Sequence, residues 1–295
     1  MTYKTGAAFR QALETRLRDR TLRSGLPLIR LRKIVAFDRL LARISKQSRS
    51  RWILKGGLAL EWQFGDRART TMDIDATVVQ QSSVDELLAE LRKAAAENIR
   101  DWFEFEVTQP SPGSTGAPFG GYRFPVVCLL DGRVFERFRV DVGMGDPIVG
   151  TPRLITGPDL LSFAGIRPSR VRCYPQTSQI AEKLHAYSRP HAGREGTRVK
   201  DLVDILLIAS SVPIKAQLLR KAINATFQAR ATHESPLSLP PPPLGWTFPY
   251  ARMAADLRLT WKTLKSATES AAAFLDPVLD GTARSAWHPS DWTWR

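Results

Sequence analysis

The sequence predicts an α/β protein of the α+β kind, a mixed sheet with flanking helices followed by a mainly helical C-terminal lobe. Three patterns predict it. Two amphipathic helical runs open the chain, segments of period-two hydrophobicity lie between residues 52 and 142, and helical spacing dominates from about Pro158 onward. With 295 residues, 43% of them hydrophobic and 24% charged, the chain can bury packed cores and lies far from the disordered regime. Residues 1–157 are expected to form an N-terminal domain, and 158–295 a helical domain that completes its site.

Residues 6–23 and 27–46 carry apolar positions at helical spacing, the second run through Leu28, Leu31, Ile34, Phe37, Leu41 and Ile44. Both helices are expected to turn their arginines outward. Trp52-Ile53-Leu54 reads as a short strand leading into Gly56-Gly57 and a helix through Leu58, Leu60 and Phe64. Met72 to Val79 alternates like a strand, and Ser82 or Ser83 caps a helix to about Asn98. A strand over 102–109, a loop over 110–121 and a strand over 122–130 follow. Asp131-Gly132 is a hairpin signal, so Arg133 to Val142 should pair back antiparallel. Helices are then predicted over 177–188, 199–210, 214–229 and 250–274. Between the last two, Pro240 to Pro243 favours extended polyproline backbone.

The net charge of +14 arises from 43 Lys and Arg against 29 Asp and Glu. Its position says more than its size. Residues 1–55 hold 15 Lys and Arg and three acids, Glu14, Asp19 and Asp38, which is an excess of 12, so the rest of the chain carries only +2. Arg16, Arg18, Arg20, Arg23, Arg30, Arg32 and Lys33 lie in that stretch, as does Arg49. Such density draws phosphate backbones by steering and counterion release, and makes these residues candidates for RNA binding. Solvated helix faces or an acidic protein partner would produce the same pattern.

The first 20 residues place charge where a signal peptide needs an apolar centre, and no stretch approaches the roughly 20 apolar residues of a membrane span. A cytoplasmic protein without a membrane partner is expected. Cys128 and Cys173 have no metal-ligand spacing and read as inert thiols of a reducing compartment.

The chemistry sits after Gly56-Gly57. Asp73 and Asp75, at i and i+2 on a strand, point to one face, where both carboxylates can converge on a divalent metal while Ile74 packs inward. Magnesium prefers such oxygen ligands and bridges nucleotide phosphates. A Gly-Gly turn before a helix exposes backbone N–H groups to a phosphate. The hairpin can add a third carboxylate, Asp141, to complete a frame for phosphoryl chemistry.

Lys55-Gly56-Gly57-Leu58-Ala59-Leu60 with Arg69-Thr70-Thr71-Met72-Asp73-Ile74-Asp75 resembles the first motif of the AbiEii family of nucleotidyltransferase-like toxins, in the polymerase-beta-type superfamily. Gln179 to Tyr187 and Arg198 to Ile205 are similar to that family's later motifs in order and distance, and size and basic N-terminus resemble its mycobacterial MenT-like branch. Where many relatives carry Ser after the first glycine, this chain has Gly57.

The resemblance implies a nucleotidyltransferase-like fold and a toxin of a toxin–antitoxin system. Its implied activity is the magnesium-dependent transfer of a nucleotidyl group from an NTP to RNA, at the tRNA 3′ end, which blocks aminoacylation and translation. It implies metal on Asp73 and Asp75, with Asp141 or Asp146 as the third carboxylate, and nucleotide held by Gly56, Gly57, Arg69, Thr71 and Lys183. Catalytic roles fall to Asp73, Asp75, Lys183 and Asp201 or Asp204. The partners are NTP, RNA and a cognate antitoxin, and the protein is expected to be a monomer.

Read without the family, Lys183 could snorkel beside the stripe of Ile180, Leu184 and Tyr187, and Asp201 and Asp204 could be helix-start acids favoured by the macrodipole. His185 reads as a packed histidine, and Arg189 and Arg194 as contacts to solvent or nucleic acid. The tryptophans Trp246, Trp261, Trp287, Trp292 and Trp294 suit core packing or base stacking. A nucleotidyltransferase acting on a protein or small-molecule hydroxyl, and a non-catalytic RNA-binding module, are the alternative functions.

Overall fold

The computed structural model describes residues 2–47, 51–113, 116–190 and 198–295, so Arg49 and Arg194 lie outside the described residues. The chain divides into two compact units. The first comprises 1–62, 70–145 and 153–173; the second comprises 63–69, 146–152 and 174–295.

The first unit opens with α1 (Gly6–Ser24), capped by the Thr5 hydroxyl and ended by Gly25 in the left-handed region, and α2 (Leu28–Gln47). Then come β1 (Trp52–Lys55), α3 (Gly56–Phe64), β2 (Ile74–Val78) and α4 (Val84–Ala95), whose Ser83–Glu86 capping box satisfies its first turn. β3 (Phe103–Val107), the short β4 (Ser111–Pro112), β5 (Gly121–Leu130) and β6 (Arg133–Met144) follow, the last two joined through Asp131-Gly132. β7 (Arg153–Thr156) and β8 (Arg170–Cys173) complete a sheet of order β3-β5-β6-β2-β1-β8-β7, with β4 on β5. β2 runs parallel to β6 and antiparallel to β1, so the sheet is mixed, as predicted.

One face of this sheet packs on α2. Leu41 and Ile44 of the helix meet Leu54, Ile74, Ala76 and Val140 of β1, β2 and β6 around an apolar cavity of about 250 Å³. Because side chains alternate along a strand, Lys55, Asp75 and Asp141 lie on the opposite face.

Two expectations fail here. Helical spacing does not hold from Pro158 onward: Arg170-Val-Arg-Cys forms a strand that pairs with Arg153-Leu-Ile-Thr, its Val171 and Cys173 buried. Nor does α2 turn its basic residues outward, since Lys33, Arg39 and Arg43 are buried. Arg43 donates to both Asp101 oxygens, at 2.9 and 2.6 Å, and to the Phe103 carbonyl; Arg39 pairs with Asp38. Lys33 donates to Glu136 at 3.2 Å and to the Arg137 carbonyl at 2.8 Å, which removes it from any RNA-binding surface. On α1, Arg10 donates to the carbonyls of Leu130, Arg133 and Val134, which pins the helix to the hairpin. Part of the basic excess is therefore structural.

The second unit contains α5 (Gln176–Ser188), α6 (Val199–Ala209), β9 (Ile214–Lys215), α7 (Ala216–Arg230), α8 (Thr247–Asp256), α9 (Leu264–Leu279), β10 (Ala286–His288) and β11 (Thr293–Trp294). The single helix expected over 250–274 is two. Arg258 takes a positive φ of 51°, Thr263 caps the second helix, and the Tyr250 hydroxyl donates to the Trp261 carbonyl in the connection. β9, β10 and β11 form a small sheet that periodicity did not reveal. The indoles of Trp287, Trp292 and Trp294 donate to the carbonyls of Ala209, Ser270 and Phe274, so these rings are packing elements. No helix among the described residues is long and apolar enough to cross a membrane.

Asp101→Ala leaves the buried Arg43 guanidinium without its carboxylate, and should destabilise the protein by about 3–5 kcal/mol. Urea unfolding midpoints of wild type and variant measure this directly.

Candidate active site

The site in the first unit starts at the junction of β1 and α3. Gly56 follows Lys55 with no intervening loop and has a φ of +67°. A Cβ built there would lie 2.3 Å from the Asp75 Oδ2 atom. Only glycine satisfies both the left-handed backbone and this close approach. The backbone of the Gly-Gly turn is thereby held against the Asp75 carboxylate. Gly57 is buried inside the first turn of α3.

Strand register assembles the rest. Lys55 pairs with Asp75, Asp75 with Asp141, and Asp141 with Arg123, which makes one row across β1, β2, β6 and β5. Arg123 donates to both Asp141 oxygens, at 2.8 and 2.6 Å. Its pKa is raised chiefly by this hydrogen bond and then, against the cost of burial, by the charges of Asp141, Asp73 and Asp75. One step along, Arg139 donates to both Asp73 oxygens, at 3.1 and 3.0 Å, and the Thr71 hydroxyl donates to the Asp73 carbonyl at 3.3 Å.

Register thus selects Asp141 as the neighbour of Asp75. The side chain of Asp146 is fully buried in the second unit and pairs with Arg230 at 2.9 Å. Arg123 and Arg139 were not singled out from the sequence. The hairpin alone could not have found them: continued from Asp131-Gly132 it sets Arg123 opposite Val140, and the register shift between Cys128 and Leu129 moves Arg123 to Asp141.

In the second unit, four charged groups predicted as site residues come together. Lys183 on α5 lies 3.1 Å from Asp201 and 2.7 Å from Asp204, both on α6, and Arg69 makes a two-pronged contact with Asp204 at 3.0–3.3 Å. Asp201 also meets Arg198 at 3.4 Å. Burial opposes charge on Lys183, but Asp204 and then Asp201 raise its pKa above the ordinary lysine value. Burial likewise opposes charge on Asp204, and Lys183 followed by Arg69 holds its carboxyl below the usual value. The helical acids are thus partners of Lys183 and Arg69, more than macrodipole caps. Nearby, His185 is buried, its pKa pushed down to about 3 by desolvation and then by Arg230, and its Nε2 atom lies 2.8 Å from the Thr232 hydroxyl. It is a neutral packed histidine.

The fit of a divalent cation can be judged from the donors. Among the described residues no three Asp, Glu, His or Cys side chains are grouped closely enough to hold a metal as they stand. Asp73 and Asp141 are turned to guanidinium groups. The donor chemistry nevertheless fits: Asp73, Asp75 and Asp141 are hard oxygen ligands, Arg139 and Arg123 supply cationic charge to two of them, and the third lies against the Gly56 turn.

Comparison with known proteins bears on this geometry. The family described as "Nucleotidyl transferase AbiEii toxin, Type IV TA system" matches residues 39–280. The chain belongs to this family. AbiEii proteins are nucleotidyltransferase toxins of type IV toxin–antitoxin systems, and the matched region contains both charged clusters. Among solved structures, MenT4, a nucleotidyltransferase toxin from Mycobacterium tuberculosis H37Rv, is 19% identical with a TM-score of 0.57 over 92% of this chain and 99% of that one, which shows a shared fold. An antigenic nucleotidyltransferase-like protein from Paracoccidioides brasiliensis is 17% identical with a TM-score of 0.41, covering 68% of this chain and 93% of its own. No curated protein is significantly similar to the sequence.

Two measurements follow. Gly56→Ala combines a left-handed alanine, costing about 1–2 kcal/mol, with a clash at Asp75, so the melting temperature should fall and nucleotide binding should be lost. The depressed Asp204 carboxyl contributes stability that is fully present above the unfolded carboxylate value near 4 and lost as pH falls through its lower folded value. Below about pH 4, Asp204→Asn should therefore flatten the acid limb of the stability–pH curve relative to wild type; an unchanged limb would remove Asp204 from that role.

Proposed function

We propose that this AbiEii family member transfers a nucleotidyl group from a nucleoside triphosphate to RNA, at the 3′ end of tRNA, and so blocks aminoacylation and translation. The observation that carries the reading is the Asp75–Asp141 pair beside Asp73 and against the Gly56 turn. Asp73, Asp75 and Asp141 would hold magnesium, which supplies charge neutralisation at the phosphates when bound. Gly56 and Gly57 offer backbone N–H groups to phosphate oxygens. Lys183, fixed between Asp201 and Asp204 and joined by Arg69, keeps a permanent ammonium of the kind that offsets charge on departing pyrophosphate.

Exposed arginines support an RNA acceptor. Arg16, Arg18, Arg20 and Arg23 are exposed along α1, with Arg16 also stacked 4.2 Å over the Phe163 ring. Arg30 and Arg32 are half-buried and paired with Glu61 and Glu14, which leaves them a secondary part in docking. Family membership supports a cognate antitoxin partner.

The test incubates protein, magnesium and each α-labelled nucleotide with total tRNA. Label should appear on RNA, and Asp75→Ala should abolish both label and growth inhibition. Replacing Arg16, Arg18 and Arg20 with Glu should cut RNA labelling by about tenfold or more while nucleotide binding persists. Absence of RNA label with all four nucleotides, or label on protein when RNA is omitted, would sink the RNA reading.

A further inference from the structure

The three carboxylates of the first unit are matched by three cations on the same face. Arg123 holds Asp141, Arg139 holds Asp73, and Lys55 stands opposite Asp75 in register. Each of these carboxylates therefore has a cation beside it. A bare dication taking Asp73 or Asp141 would have to displace a guanidinium, and would gain little by it.

The two arginine pairs differ from the structural pairs elsewhere in the unit. Arg43 and Asp101 are each about 2% exposed, and neither can leave. At the site the carboxylates of Asp141 and Asp73 are 14% and 25% exposed, while Arg123 and Arg139 are 35% and 48% exposed. The guanidinium is the outer member of each pair. It sits on a long stem rooted in β5 or β6, so it can swing away without moving the strand. Pairs open to solvent on one side are also weaker than enclosed ones, and yield more readily to a stronger competitor. Planar guanidinium groups suit phosphate oxygens as well as carboxylates.

Resting on the nucleotidyltransferase reading above, we propose that Arg123 and Arg139 are exchangeable counterions. In the free protein they occupy Asp141 and Asp73; when a divalent cation arrives with a nucleoside triphosphate, they leave the carboxylates and bind the triphosphate oxygens. They are triphosphate-binding residues for the reaction, and they make metal binding depend on the nucleotide. No bond is formed or broken in this exchange; only ion pairs change partners.

The full chain with Mn2+ as probe tests this, protein-retained Mn2+ being counted after ultrafiltration with and without inorganic tripolyphosphate, because tripolyphosphate itself binds Mn2+ in solution. Wild type should bind Mn2+ weakly alone and more tightly with tripolyphosphate. Arg139→Gln and Arg123→Gln should each bind Mn2+ alone about tenfold tighter than wild type, as expected for removal of one competing charge near the surface. Each should also lose most of the tripolyphosphate enhancement. Equal or weaker Mn2+ binding in both variants, or full enhancement in both, would overturn the exchange. Should Arg123→Gln fail to fold, Arg139 is exposed enough to carry the test alone. Asp75→Asn separates the two claims: a variant that binds Mn2+ and tripolyphosphate like wild type would move the metal elsewhere and overturn the site itself, whereas failure of the arginine variants alone overturns only the exchange.

Discussion

The parallel pairing of β2 with β6 sets Asp75 directly beside Asp141, and this juxtaposition of like charges governs the first unit. Two carboxylates on adjacent strands repel unless cations stand next to them. β5 supplies Arg123 opposite Asp141, β6 supplies Arg139 at Asp73, and β1 supplies Lys55 opposite Asp75. The same register sends Leu54, Ile74, Ala76 and Val140 to the other face, where α2 packs. Gly56 follows from it too, because the Asp75 carboxylate fills the space any larger residue would need.

The same unit buries a second set of charges for another purpose. Arg39 and Arg43 of α2 reach Asp38 and Asp101, Lys33 reaches Glu136, and these groups are almost fully enclosed. Enclosed pairs fix geometry because breaking one strands a charge in a medium that cannot solvate it. Paired groups at the surface can exchange. The arginines of this basic chain thus divide by solvent access into enclosed pairs and pairs open to solvent, since the residue type is the same in both.

The cluster of the second unit is of the enclosed kind. Lys183 meets Asp201 and Asp204 of α6 and Arg69 meets Asp204; against the cost of burial, Asp204 and Asp201 hold Lys183 charged, and Lys183 and Arg69 hold Asp204 ionised. A cation so held acts as a fixed electrostatic element. It cannot titrate to meet a substrate, and it requires no reorganisation when one arrives.

Local chemistry made much of this legible in the sequence. Ser83 caps a helix, Asp131-Gly132 turns a hairpin, and Gly56-Gly57 makes the tight turn between β1 and α3, because each acts on backbone within a few residues of itself. What stayed hidden depends on partners far along the chain. The strand at 170–173 pairs with β1 and with the strand at 153–156, and the break between α8 and α9 rests on the positive φ of Arg258 and on a tyrosine hydroxyl reaching Trp261. By itself the sequence determined the mixed α/β class, the Gly-Gly turn, the carboxylate pair and the basic N-terminal stretch. Only the tertiary structure decided that Asp141 is the carboxylate beside Asp75, that Lys33, Arg39 and Arg43 are interior, and that Arg123 and Arg139 guard the acids. The physical reason is that strand register and burial are set by contacts between residues distant in sequence, and those contacts leave no local periodicity to read.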